Sequence, residues 1–197
     1  FRSFTIALIA AKCKEHRQKP KFVEVNEKSD VTYGPFRVRF WAVNHSVPDA
    51  LGIMLGTPAG NIIHTGDIKL DQTPLDNRPT DLPALSRYGD EGVDLMLCDS
   101  TNATVPGVSA SEGDIPANFK RLVAGAKQRV ILASFASNVY RVQSVIDAAA
   151  MAGRKVALNG RSLLRNMEIA LEMGLDPFIG PIALSHALAL AIPVEAE

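Results

Sequence analysis

In the first hundred positions the apolar residues fall in strand-length runs; after Asn102, strand-length and helix-length runs alternate. That change of rhythm constrains the fold more than any single residue. Phe36 to Val43 alternates as a half-buried strand does, and Leu51 to Leu55 with Asn61 to His64 reads as a hairpin turning at Thr57-Pro58-Ala59-Gly60. Val93 to Cys98 is apolar except for Asp94, which predicts a strand buried on both faces. A helix from Phe4 to about Glu15, a short strand at Lys21 to Val25 and a short helix near Leu82 to Tyr88 complete the first part. Beyond a boundary in 103–110, helices at Ile115–Lys127, Asn138–Met151 and Ser162–Met173 alternate with strands at Arg129–Ser134 and Lys155–Leu158. Gly153 and Gly174 stand where helix C-termini favour glycine. The rhythm predicts an α/β fold: a strand-rich domain over 1–105, then a domain over 106–197 with a parallel sheet covered by helices. Residues after about 175 are atypical, since 177–194 carries no charged residue.

Twenty-one basic and twenty-one acidic residues leave no net charge, so no general basic face marks the chain for nucleic acid, although a local basic groove remains open. Cys13 and Cys98 lack both a metal spacing and a disulfide framework, and read as buried free thiols. The uncharged stretch near the end is broken by Pro177, Pro181 and Pro193, so no membrane span is expected and the default compartment is cytoplasmic.

The chemistry gathers where strands run out. Asn44-His45-Ser46-Val47-Pro48-Asp49 follows the first long strand, and His64-Thr65-Gly66-Asp67-Ile68-Lys69 follows the hairpin. A side chain at a strand end is held rigidly yet faces a cleft, the geometry a metal ligand needs. His45 offers an imidazole and Asp67 a carboxylate able to bridge two ions; alone, a turn cap explains Asp67 equally well. Asp99 ends the apolar run, where a carboxylate is costly unless paired, and by itself reads as the cap of the Ser100-Thr101-Asn102 turn. His64 is read as pointing away from Asp67, His16 as a helix-end cation and His186 as unrelated to the site. Ser134-Phe135-Ala136-Ser137-Asn138 closes a strand and opens a helix, where Ser137 or Asn138 can cap. The same helix start, with Arg141 one turn in and Gly160-Arg161-Ser162 opening the next helix, could receive a backbone phosphate.

These motifs, with Asp99-Ser100-Thr101, Gly66-Asp67-Ile68-Lys69-Leu70-Asp71-Gln72-Thr73-Pro74 and Ser134-Phe135-Ala136-Ser137-Asn138, resemble the bacterial ribonuclease J family. That family lies in the beta-CASP branch of the metallo-beta-lactamase superfamily, and the resemblance runs from about Phe4 to Gly174. It implies part of an αββα metallo-beta-lactamase core followed by part of an alternating α/β beta-CASP domain. It also implies two zinc ions, with His45 and Asp67 as metal ligands and Asp67 bridging both. Asp67 and Asp99 are the implied catalytic acids, Asp99 orienting a histidine ligand. For the second domain the expected RNA contacts are Ser137, Asn138 and Arg141.

The implied activity is hydrolysis of RNA phosphodiesters, from the 5′ end and internally, in RNA maturation and decay, by a dimer or tetramer. A His-x-His-x-Asp-His string, expected of the family, does not occur, and the chain begins inside a helix without methionine. We therefore expect an internal piece of a longer protein, inactive by itself. Two rival expectations stand beside this one. A metallohydrolase of the same core acting on a thioester or lactam would not need the alternating second domain. A non-catalytic RNA-binding or assembly fragment would fit the missing ligand cluster.

Overall fold

The computed structural model describes residues 2–174, and the readings of His186 and of the atypical stretch lie outside them. The chain divides into two compact units between Gly113 and Asp114.

The first unit is a five-stranded sheet in the order β1-β2-β3-β4-β5: β1 (Asp30–Tyr33), β2 (Phe36–Ala42), β3 (Leu51–Thr57), β4 (Gly60–His64) and β5 (Leu95–Leu97). The first four are antiparallel neighbours, and β5 joins β4 in parallel. The expected hairpin is β3–β4. Its turn puts Gly60 at φ +139, where an added Cβ would collide with Asp94, whose carboxylate accepts the Asn61 amide at 2.7 Å. β1 was not foreseen, and Lys21 to Val25 forms no strand. Helix α1 (Ser3–Glu15) ends in Lys12 and Lys14, cations that suit the negative end of its dipole. Helix α2 (Leu82–Glu91) starts where Asp81 accepts the Ala84 amide at 2.9 Å, with Pro83 in its first turn.

Alternation along the strands puts Trp41, Met54 and Ile63 on one face, where they form the core with Val43, Ala84 and Tyr88 of α2. The Trp41 ring occupies the space a side chain at its partner Gly52 would need. Arg39 binds α2 across this face, forking onto Glu91 at 2.5 and 2.8 Å and lying 4.9 Å above the Tyr88 ring. The register puts Val38, Leu55, Ile62 and Leu95 in one row of the opposite face, with Phe40, Ile53, His64 and Leu97 in the next. Ile53, Leu95 and Leu97 are open to solvent there. β5 was expected to be buried on both faces; instead all three of its residues are exposed. It pairs along one edge only, and burial on both faces needs a covering layer on each, which the described residues do not give it.

The second unit contains α3 (Ile115–Gly125), α4 (Val139–Met151) and α5 (Arg161–Glu172), preceded by a short 3₁₀ turn. α3 packs on α4, and α4 touches α5, burying Val123, Val139, Val142, Ile146, Met167 and Ala170. Gly153 follows α4 at φ +65, as its place after the helix predicted. Arg129–Ser134 and Lys155–Leu158 form no ladder among the described residues, so the expected parallel sheet is absent from them. An apolar run supplies strand propensity, but a strand exists only through a paired neighbour, and Ile131 stands 88% exposed without one. The Arg154 guanidinium holds the chain just before this run, donating to the Gln128 carbonyl at 2.9 Å and to that of Ala126. Among the described residues no helix is long and apolar enough to cross a membrane.

Candidate active site

At the ends of β2, β4 and β5 three loops meet. The first, carrying His45, leaves β2 through Asn44, which is buried. The Asn44 amide donates to Thr80 Oγ1 at 2.9 Å, and its carbonyl accepts the Lys69 amide at 2.7 Å. The latter is an isolated antiparallel bridge that draws the His45 loop against the loop carrying Asp67. The far side of the His45 loop is pinned by charge. Asp49 takes a left-handed φ of +62 and pairs with Arg78 at 2.6 Å and with Arg2 at 3.2 Å. Such a φ is uncommon outside glycine, and the two guanidiniums around the carboxylate help hold it.

The Asp67 loop leaves β4 through Thr65, whose amide donates to the Leu97 carbonyl at 3.0 Å. Gly66 turns at φ +64, and its amide donates to His64 Nδ1 at 2.9 Å. His64 and Asp67 line one open cleft of about 420 Å³ with Met96, Cys98 and Asp99. His64, read as pointing away from Asp67, thus lines the same cleft as Asp67, with its Nδ1 tied to the Gly66 turn. The reading of Cys98 is corrected, for it is an exposed thiol at the cleft rather than a buried one; Cys13 is half-buried, and both are free.

Asp99 follows β5, and its amide donates to Thr65 Oγ1 at 3.1 Å. One carboxylate oxygen accepts the Thr101 hydroxyl at 2.6 Å and amide at 2.9 Å; the other accepts the Ile68 amide at 3.3 Å. The Thr101 hydroxyl and amide, the Ile68 amide and the His45 ring nearby together hold Asp99 below the ordinary carboxylate value. The turn-capping role is therefore present. Sequence reasoning missed Lys69 and Thr65, whose signal was their adjacency to Asp67 within one loop.

His45, Asp67 and Asp99 thus offer one imidazole and two carboxylates to one end of the sheet. Zinc takes three or four protein ligands. Among the described residues no three His, Cys, Asp or Glu side chains converge closely enough to hold an ion. The donors among the described residues do not by themselves fit a metal centre.

In the second unit, the Asn138 side chain accepts the Arg141 amide at 3.1 Å, so it caps α4. Asn138 is buried, whereas Ser137 and Arg141 are half-buried. Asn166, in α5, fixes the turn before this cap by donating to the Ala136 carbonyl at 2.8 Å. Nothing local in the sequence marked that contact, which joins residues thirty positions apart.

Residues 127–186 match the family model described as Ribonuclease J, beta-CASP domain. Over 171 residues, 87% of its length, the chain is 74% identical to a ribonuclease J of Corynebacterium glutamicum, covering 24% of that protein. A ribonuclease J of Mycolicibacterium smegmatis is 59% identical over the same share of the chain, with 31% of its own length covered. One from Helicobacter pylori is 40% identical over 86% of the chain and is covered to 25%. The chain therefore spans about a quarter to a third of the length of these relatives. Among solved structures, a protein of unknown function from Enterococcus faecalis V583 superimposes with a TM-score of 0.55 at 17% identity. That likeness covers 81% of this chain and 46% of the other, and it speaks to the fold alone.

Proposed function

We propose that this chain, which belongs by sequence to the ribonuclease J family over 87% of its length, carries part of the active site of a ribonuclease that hydrolyses RNA phosphodiesters. The observation that carries the reading is the Asn44–Lys69 bridge, which sets the loop of His45 against the loop of Asp67, with Asp99 at the end of the neighbouring β5. An imidazole and two carboxylates gathered at strand ends suit hydrolysis, in which a water must be positioned and deprotonated.

In this reading His45 and Asp67 are donors to a two-zinc centre whose remaining ligands come from beyond the described residues, and Asp99 orients a histidine ligand. Bound zinc would supply an activated water and neutralise phosphate charge. Ser137, Asn138 and Arg141 at the start of α4 contact the RNA backbone: Asn138 orders the helix start, and Arg141 brings charge one turn along. Cleavage from the 5′ end and internally, a role in RNA maturation and decay, a cytoplasmic setting and assembly as a dimer or tetramer belong to the same proposal.

A chimera tests it: residues 2–174 replace the corresponding segment of the Corynebacterium glutamicum relative, and a 5′-monophosphorylated RNA is offered as substrate. We expect cleavage that chelation abolishes and zinc restores. A folded chimera without such cleavage would contradict the reading.

A further inference from the structure

We propose that Asp71 is a positioning residue: its buried carboxylate clamps residues 110–113, the connector that ends the first unit, onto the loop that carries Asp67. The Asp71 side chain is 1% exposed. Its Oδ1 accepts the Ser111 hydroxyl at 2.7 Å and the Thr73 amide at 3.0 Å, and its Oδ2 accepts the Glu112 amide at 2.8 Å. Lys69 lies 3.7 Å from the same carboxylate and donates across it to the Ala110 carbonyl at 2.8 Å, with Glu112 Oε1 at 3.5 Å. Both charged neighbours of Asp71, Lys69 and Glu112, thus belong to the clamp.

A second observation is independent of charge. A Cβ on Gly113 would stand 2.6 Å from the Thr73 carbonyl oxygen, so only glycine lets the connector lie this close. The two ends of the loop from Asp99 to Ser111 are therefore gripped by one segment: Thr65 and Ile68 hold Asp99, and Asp71 with Thr73 holds 111–113. Between them, residues 101–110 are exposed. No ligand is needed for this arrangement. Its consequence for RNA, that Asp71 keeps Asp99 and Asp67 in register, rests on the nuclease reading; the clamp itself does not.

Hydrogen exchange on the 197-residue chain tests the clamp. In Asp71→Asn, the amide of Glu112, which donates to Asp71, and that of Gly113, which donates to Ser111 Oγ, should exchange at least about tenfold faster, since the charged hydrogen bonds that order the connector are lost. The sheet amides of Phe40 and Met54 should keep their rates. Gly113→Ala leaves the carboxylate in place and should accelerate the same two amides by displacing the connector, which keeps the test open if Asp71→Asn does not fold. Unchanged exchange at Glu112 and Gly113 in either folded variant would overturn the clamp, and so would an equal acceleration at Phe40 and Met54, which marks a general stabiliser.

Discussion

The carbonyl of Asn44 and the amide of Lys69 meet at 2.7 Å, so the residue before His45 faces the residue two beyond Asp67. Lys69 is also held from its other side, because its carbonyl accepts the Thr80 hydroxyl at 3.1 Å while Thr80 Oγ1 receives the Asn44 amide. One buried threonine thus bonds to both loops at once. Thr80→Val keeps the shape and removes the hydroxyl, leaving the Asn44 amide without its partner. We expect a loss of about 1–3 kcal/mol, the usual cost of an unsatisfied buried donor, measured by denaturant unfolding followed through Trp41, the single tryptophan.

The packing of Trp41 over Gly52 gives a stability prediction remote from the site. Gly52→Ala puts a methyl group into the indole ring, where neither the strand nor the core has room. Overpacking of this kind costs about 1–3 kcal/mol. A lowered unfolding midpoint with an unchanged denaturant slope is the expected result.

Glu91 supplies a pH test. The hydrogen bonds from Arg39 hold its carboxyl below the ordinary value of 4.5. Its contribution is therefore complete above 4.5 and is lost as pH falls through the lower folded value. Glu91 is 44% exposed, so screening keeps the contribution below about 1 kcal/mol. Glu91→Gln should be slightly less stable than the parent chain near neutral pH, and the two unfolding curves should converge as the medium is acidified through this range.

The legible parts of the molecule were those written in local pattern. The β3–β4 hairpin, α2, α4 and α5 follow from periodicity, turn residues and caps, and the loops of His45 and Asp67 were visible because each follows an apolar run. Contacts across large sequence distance were not legible: Asp71 reaches its Glu112 partner over 41 positions, and Asn166 reaches Ala136 over thirty. The strands expected at 129–134 and 155–158 show the opposite failure. Their residue types favour extended chain, yet pairing is decided by a neighbour that the local pattern does not contain. The exposure of β5 has the same origin, since a run suited to burial does not itself provide what buries it.

Arg141 carries the prediction for RNA contact. In the chimera, Arg141→Ala should weaken RNA binding across sequences and reduce the salt dependence by about one charge. Equal affinity and an unchanged salt slope would assign Arg141 to helix packing alone.

The 197-residue chain by itself should show no zinc-dependent cleavage of a 5′-monophosphorylated RNA, because the described residues gather too few donors to hold an ion. Cleavage by that chain, lost on chelation, would contradict the incomplete donor set.

The most direct measurement of the central claim is turnover of Asp67→Asn in the chimera, with its melting curve recorded alongside. An amide is isosteric with the carboxylate but donates poorly to metal, so the fold should persist while the rate falls by about a hundredfold or more. Near-parental turnover in a folded Asp67→Asn chimera would remove Asp67 from the site and contradict the account.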